Sequence, residues 1–388
     1  MRVLLSSTAG SGHFNPLVPV LEALERRNDD VLIAVPPKLE ATVRATGHPF
    51  RIGSDPPETE LASLWARVTT LPRAEASVIV EREIFGRLFT AAMLPTLDEA
   101  CRVWRPDLVL RETCEYASLV AAERYGVMHA QIAISAAAAE AGAQELAAPA
   151  LGPYGATLSD RLHAAPYLTR FPTSLDPSSF PSTMRYREGT GVEIVPLPDW
   201  WAGSELALVY VTFGSVTGGA PLATATYRVA LEAVAKLEAR VLFTVGHAFD
   251  PGRLGPVPAN VHIEAWVPQK RVLPGTAVVV CHGGSGTTFG ALAAGVPIVF
   301  TPLFADQPAN ARRVTAAGAG LTVGPNADST GAPAELGPAD VAPLRAAIEA
   351  VLEDNAFAKA ARRISDEMRV LPDIDGVLEQ LATVVARH

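Results

Sequence analysis

The chain reads as an α/β protein made of two doubly wound, parallel-sheet domains, and three observations predict this. Short apolar runs alternate with helical stretches in both halves, the pattern of parallel strands covered by helices on each face. A glycine loop stands at a comparable point of each half, at Gly10 and at Gly283. Finally, 388 residues with 49% hydrophobic side chains suffice for two domains, each burying its own core.

In the first half the apolar runs predict strands at 3–6, 31–35, 108–111 and 130–134, and Leu17, Leu21 and Leu24 form one helical stripe. Two stretches, 54–93 and 135–181, fit the alternation poorly, and loops of such length inside a compact domain are usually functional. Trp65, Phe85, Phe89 and Met93 suit the lining of an apolar pocket, although packing inside a helix core is the commoner fate for any one of them. Two prolines in Val195-Pro196-Leu197-Pro198-Asp199-Trp200-Trp201 interrupt both helix and strand, which marks a linker. The expected domains are therefore 1–197 and 205–372, followed by a terminal segment at 373–388. Strands of the second half are predicted at 208–213, 241–245, 261–265, 278–281 and 298–301. Val341, Leu344, Ile348 and Val351 make a helical stripe, as do Val377, Leu378, Leu381, Val384 and Val385.

Composition narrows the partners. A net charge of −9 offers no basic face for nucleic acid or anionic lipid, which leaves small molecules. Cys101, Cys114 and Cys281 show neither disulfide nor zinc spacing. No run reaches the roughly 18 apolar residues of a membrane span, and the start lacks a signal peptide, so a soluble cytoplasmic protein is expected. The one D-x-D string, Asp373-Ile374-Asp375, precedes a helix and suits capping better than a metal.

The loop His282-Gly283-Gly284-Ser285-Gly286-Thr287-Thr288 lies between an apolar strand and a helix, where glycines, free first-turn N–H groups and the helix dipole make an anion trap. His282 adds a donor for a diphosphate oxygen. Ser285 and Thr287 supply further donors or cap the helix, and Ser215 follows another strand as a second approach to the same diphosphate. Trp266 offers a flat surface for a base, and Asp306-Gln307 suit hydroxyl groups. Phosphate cradle, base platform and hydroxyl readers in one half-chain describe a nucleotide-sugar site. In the other half, Gly10-Ser11-Gly12-His13 follows the first strand at the crevice edge where doubly wound sheets place ligands. This loop is not a dinucleotide fingerprint, since Asn15 replaces the third glycine and Val35 is followed by two prolines rather than an acidic residue.

The run 282–288, then Ala294-Gly295-Val296-Pro297, Pro302 and Asp306-Gln307-Pro308-Ala309-Asn310-Ala311, resembles the donor signature of the family 1 glycosyltransferases of the GT-B fold. Among these are bacterial enzymes that decorate macrolide, polyketide and enediyne antibiotics. The resemblance is close over 266–311 and looser toward the N-terminus. It implies two Rossmann-like domains facing across a cleft, with the terminal helix crossing back to the first. It also implies that Trp266 stacks on the base, that the backbone of Val267 reads its edge beside Gln269, and that Asp306 and Gln307 hold the sugar. Where the plant members carry a ribose-binding glutamate, this chain has Gly290, which points to a thymidine diphosphate donor.

An alcohol attacking an anomeric carbon needs a base, and the family carries its catalytic histidine where His13 stands. A carboxylate on the other ring nitrogen fixes the tautomer. Glu112 falls where many relatives have an aspartate, and Glu115 is the alternative. The expected reaction is a metal-independent, inverting transfer of a deoxysugar to a natural-product hydroxyl. No cofactor beyond the nucleotide sugar is expected, and a homodimer or an auxiliary protein stays open. The competing readings are a catalytically silent nucleotide-sugar-binding partner and a sugar-nucleotide epimerase.

Overall fold

The computed structural model describes residues 1–68, 70–187, 197–327 and 334–386. Contacts divide the chain into two compact units, Met1–Gly189 with Leu371–His388, and Thr190–Val370. Of the linker expected at 195–201, Val195 and Pro196 lie outside the described residues.

In the first unit the strands among the described residues are β1 (Arg2–Ser6), β2 (Asp30–Val35), β3 (Phe50–Ile52), β4 (Leu108–Glu112), β5 (Met128–Ile132), β6 (Tyr167–Thr169) and β7 (Thr183–Arg185). They pair in the order β3-β2-β1-β4-β5-β6-β7, all parallel. Leu4 of β1 lies opposite Leu32 on one side and Val109 on the other. The chain winds outward from β1 to β3 and returns to pair β4 with the other edge of β1. That reversal opens a crevice beyond the carboxyl ends of β1 and β4. Alternate side chains serve the two faces. Val3 and Leu5 pack with Leu17, Leu21 and Leu24, whereas Leu4 and Val109 pack with Met93 and Leu97.

The terminal helix Ile374–Val385 belongs to this unit and sends Ile374, Val377, Leu378 and Leu381 into its core. Burying these four side chains contributes roughly 6–12 kcal/mol of gross hydrophobic stabilisation. The Asp373 carboxylate accepts the Gly376 amide at 2.9 Å and caps this helix, while Asp375 pairs with Arg26 at 2.7 Å.

The stretches 54–93 and 135–181 are not long loops, which corrects the sequence expectation. The first holds helices Glu58–Val68 and Arg73–Val78, the π-helical run Ile79–Phe89 and the start of Thr90–Glu99. The second holds helices Ala137–Leu151 and Leu158–Ala164 and strand β6. The π spacing breaks the 3.6-residue apolar repeat that would have revealed a helix. The Thr90 hydroxyl bonds the Phe85 carbonyl, five residues back, at 3.0 Å. Met93 is fully buried and Phe89 nearly so, Phe85 is half-buried, and Trp65 is 42% exposed.

The second unit carries β8 (Leu208–Thr212), β9 (Arg240–Thr244), β10 (Val261–Glu264), β11 (Val278–Cys281), β12 (Ile298–Phe300) and β13 (Gly320–Thr322). Their order, β10-β9-β8-β11-β12-β13, is again parallel throughout and reverses between β8 and β11. Among the described residues, no helix is long and apolar enough to cross a membrane.

Candidate active site

His13 sits on a one-turn helix, Ser11–Phe14, reached directly from β1, and Phe14 anchors that turn by burial. Glu112 is the last residue of β4, so the strand order brings the two side chains to the same crevice. His13 Nδ1 lies 3.2 Å from Glu112 Oε1, with the imidazole 22% exposed and the carboxylate fully buried. The contact is bent away from the ring N–H direction, so it is an ion pair more than an aligned hydrogen bond. Oε1 of Glu112 also accepts the Thr8 amide at 3.1 Å and hydroxyl at 2.6 Å, and Oε2 accepts the Cys114 amide at 2.6 Å.

These contacts decide the charge states. Burial disfavours the Glu112 anion, but His13, the Thr8 hydroxyl and the Cys114 amide outweigh it and hold the carboxyl below its usual range. Burial likewise opposes a charge on His13, yet Glu112, with smaller help from Glu81 and Glu140, raises its pKa above 6.5. An anionic acceptor at Nδ1 keeps the proton there and leaves Nε2 bare, which suits Nε2 to act as a base.

Glu115 is engaged elsewhere. It accepts the Ala117 amide at 3.0 Å, the Ser118 amide at 3.1 Å and, very closely, the Ser118 hydroxyl, capping the helix Ala117–Tyr125. Arg111 braces the turn between them. Fully buried, it donates to the carbonyls of Glu112, Thr113 and Glu115 and to Gln131 Oε1. Sequence reasoning passed over Arg111 and Thr8. An arginine inside an apolar strand was the available signal for the first; nothing local marked the second.

In the second unit, His282 follows β11 and is housed between two glycine backbones. A Cβ at Gly284 would lie 2.6 Å from its Nε2, and one at Gly214 would lie 2.9 Å from its Cε1. Burial pushes its pKa down to about 4, against a smaller opposing effect of the Thr212 backbone, so the ring is neutral at pH 7. Gly283 has φ +92°, and a Cβ there would come within 2.9 Å of the Gln307 carbonyl oxygen. Glycine is therefore required by both backbone conformation and close approach.

The helix Ser285–Ala293 begins after Gly284, and no side chain caps it. The Ser285 hydroxyl instead donates to Asp306 Oδ2 at 2.9 Å, and Thr287 Oγ1 accepts from Gln269 at 2.9 Å. Asn310, to which the sequence assigned no role, donates to the Gly283 carbonyl (3.0 Å), Ser285 Oγ (3.1 Å) and Asp306 Oδ2 (3.0 Å). It ties the glycine loop to the Asp306 turn, and the preceding Ala305 holds φ +55° to make that turn. Gln307 is buried, and its Oε1 accepts the amides of Leu303 and Phe304 at 2.8 and 3.0 Å.

Trp266 is 56% exposed, an unusual state for so large an apolar ring, whereas Val267 behind it is buried. The Gln269–Thr287 bond joins the Trp266 segment to the helix start. Ser215 belongs to the short helix Gly214–Thr217, and its side chain lies outside what is described.

His13, Glu112 and Cys114 are a group of possible metal donors whose atoms lie within 4.8 Å. The fit is poor. Both oxygens of Glu112 already accept hydrogen bonds, and burial raises the Cys114 thiol well above its ordinary value, so the thiolate a metal prefers is disfavoured.

Two family models cover most of this chain: the N-terminal domain of the erythromycin biosynthesis protein CIII-like proteins over residues 23–214, and their C-terminal domain over residues 228–384. The elloramycin glycosyltransferase ElmGT of Streptomyces olivaceus is 32% identical over 99% of this chain and 97% of its own. The chain belongs to the erythromycin biosynthesis protein CIII-like family. It is a GT-B natural-product glycosyltransferase, an enzyme that transfers sugars from nucleotide sugars. The L-demethylnoviosyl transferase of Streptomyces niveus is also 32% identical, over 98% of each chain. Among solved structures, the glycosyltransferase VinC in complex with dTDP superposes with a TM-score of 0.75 at 23% identity, over 100% of both chains.

Proposed function

We propose that this glycosyltransferase moves a deoxysugar from a thymidine diphosphate donor to a hydroxyl of a small-molecule natural product, with inversion and without a metal. The acceptor side belongs to the first unit and the donor side to the second. The observation that carries the reading is the pairing of His13 with a buried, anionic Glu112 at the reversal of the first sheet. His13 Nε2 takes the acceptor proton, and Glu112 stabilises the imidazolium that forms. The alcohol oxygen bonds to the anomeric carbon from the face opposite the leaving diphosphate. The diphosphate gains charge, which the uncapped start of helix Ser285–Ala293 and the His282 ring accommodate.

The thymidine preference rests on Gly290. A Cβ there would already meet Leu273 at 3.3 Å and the side-chain oxygen of Gln269 at 3.5 Å, and a glycine offers no carboxylate at this point for a ribose 2′-hydroxyl. VinC, a relative in fold, was solved with dTDP. A reducing, cytoplasmic setting is in keeping with three buried, free cysteines. Calorimetry of the purified protein with dTDP and UDP tests the donor: tighter binding of dTDP is expected, and equal or tighter binding of UDP refutes it. Mass spectrometry of a reaction with dTDP-sugar tests the transfer, which His13→Ala should abolish.

A further inference from the structure

Both lone-pair sites of one Glu112 oxygen are taken by a single residue. Oε1 accepts the Thr8 amide at 3.1 Å and the Thr8 hydroxyl at 2.6 Å, and a carboxylate oxygen offers two such sites. The His13 N–H finds none in line. Nδ1 lies 3.2 Å from the same oxygen yet completes no hydrogen bond. The bend in the His13–Glu112 contact thus has a structural cause, and the cause is Thr8.

Thr8 stands two residues beyond β1 and is 1% exposed, so water has almost no access to its hydroxyl. Its two donors reach Glu112 because β1 pairs beside β4, which sets the loop after one strand against the end of the other. From the far side, the Cys114 amide holds Oε2 at 2.6 Å. The carboxylate is therefore fixed by groups other than the histidine.

This arrangement sets up a competition. While the ring is neutral, the buried Glu112 anion depends on Thr8 and Cys114; once the ring is protonated, the two charges support each other. A donor that stabilises the lone anion therefore favours the neutral ring. We propose that the Thr8 hydroxyl is a positioning group for sugar transfer: by occupying Oε1 it limits how far Glu112 stabilises the imidazolium, so that the ring stays available as a neutral base. This rests on the reading of His13 as the base. A base held too tightly to its proton is already protonated when the alcohol arrives. Other ionisable groups act on the pair as well, Glu81 and Glu140 on the imidazole and Glu81, Arg111, Cys114, Glu115 and Tyr116 on the carboxylate. Replacing Thr8 leaves them all in place, so its effect can be read separately.

The test needs no acceptor. The His13 imidazole C–H resonance, assigned by its loss in His13→Gln, is followed against pH by NMR in the substrate-free protein. Thr8→Val keeps the shape and removes the hydroxyl, and should move the titration upward by about one pH unit, a tenfold change in proton affinity. Thr8→Ala removes the same donor with less bulk and should agree with it, whereas Thr8→Ser should titrate as the wild type does. Glu112→Gln should move the titration downward. If it does so while Thr8→Val and Thr8→Ala leave the titration in place or lower it, Thr8 is structural and the proposal is overturned with the His13–Glu112 pairing intact. If Glu112→Gln leaves the titration in place, the pairing itself fails and takes the proposal with it.

Discussion

Replacing Glu112 by glutamine preserves size and removes one charge. The wild-type carboxylate accepts on both oxygens, from Thr8 at Oε1, which also faces the His13 imidazole as an ion pair, and from Cys114 at Oε2. A glutamine has only one oxygen for these contacts. If its NH2 faces Cys114, two donors meet at a contact that is 2.6 Å in the wild type. If it faces Thr8 and His13, it donates to Nδ1, shifts the proton to Nε2 and blocks the base. In the first orientation the imidazolium loses its anionic partner, worth about 1.5–3 kcal/mol, or roughly 10- to 100-fold in kcat/KM. In the second the loss approaches roughly 10⁴-fold, the scale found when the carboxylate of a Ser-His-Asp triad is amidated.

The assay is kcat/KM against pH for the wild type and the Glu112→Gln variant. In the wild type the rate should rise with pH through the raised pKa of His13, since only the neutral ring is a base. In the variant the plateau falls and that limb moves to lower pH. Stability follows the same pair. The depressed Glu112 contributes fully above its ordinary value of 4.5 and loses that contribution as pH falls. The raised His13 contributes fully below 6.5 and loses it as pH rises. The melting-temperature gap between wild type and variant should therefore be widest between these values. An unchanged kcat/KM, with the limb in place, would refute the role of the pair.

Three further outcomes are expected. Because burial holds His282 neutral down to about pH 4, a bound diphosphate should raise its pKa, and calorimetry in buffers of different ionisation enthalpy should register proton uptake on dTDP binding. No uptake means the ring stays neutral and acts only as a hydrogen-bond donor. Gly283→Ala forces a Cβ into φ +92° and against the Gln307 carbonyl, and should cost about 1–3 kcal/mol in denaturant unfolding while weakening dTDP binding. Leu378→Ala empties a fully buried site beneath the terminal helix and should destabilise the protein by about 2–5 kcal/mol.

Much of the fold was legible because it is written in local periodicity. All nine strands predicted from apolar runs are present, with ends within two residues of those expected. The four others among the described residues, β3, β6, β7 and β13, have three residues each and, unlike the equally short Ile-Val-Phe of β12, no continuous aliphatic or aromatic run to mark them. The π-helical run escaped for a different reason, since its bonding does not follow the helical period being sought. At the loop after β11, glycine spacing marked the tight turn, but the mutual bonding of Ser285, Asp306 and Asn310 joins positions too distant in sequence to show any local sign.

The sequence by itself determined that two parallel α/β sheets would form, and which loops would stand at their carboxyl ends, because strand and helix patterns and glycine turns depend on near neighbours. Tertiary structure alone decided that Glu112 rather than Glu115 meets His13, because that depends on β4 pairing beside β1 and on Glu115 turning to cap the next helix. It also decided that Oε2 of Glu81 is sealed from solvent and unpaired. Partnership and burial are set by which segments fold against one another, and that choice is made by the whole chain at once.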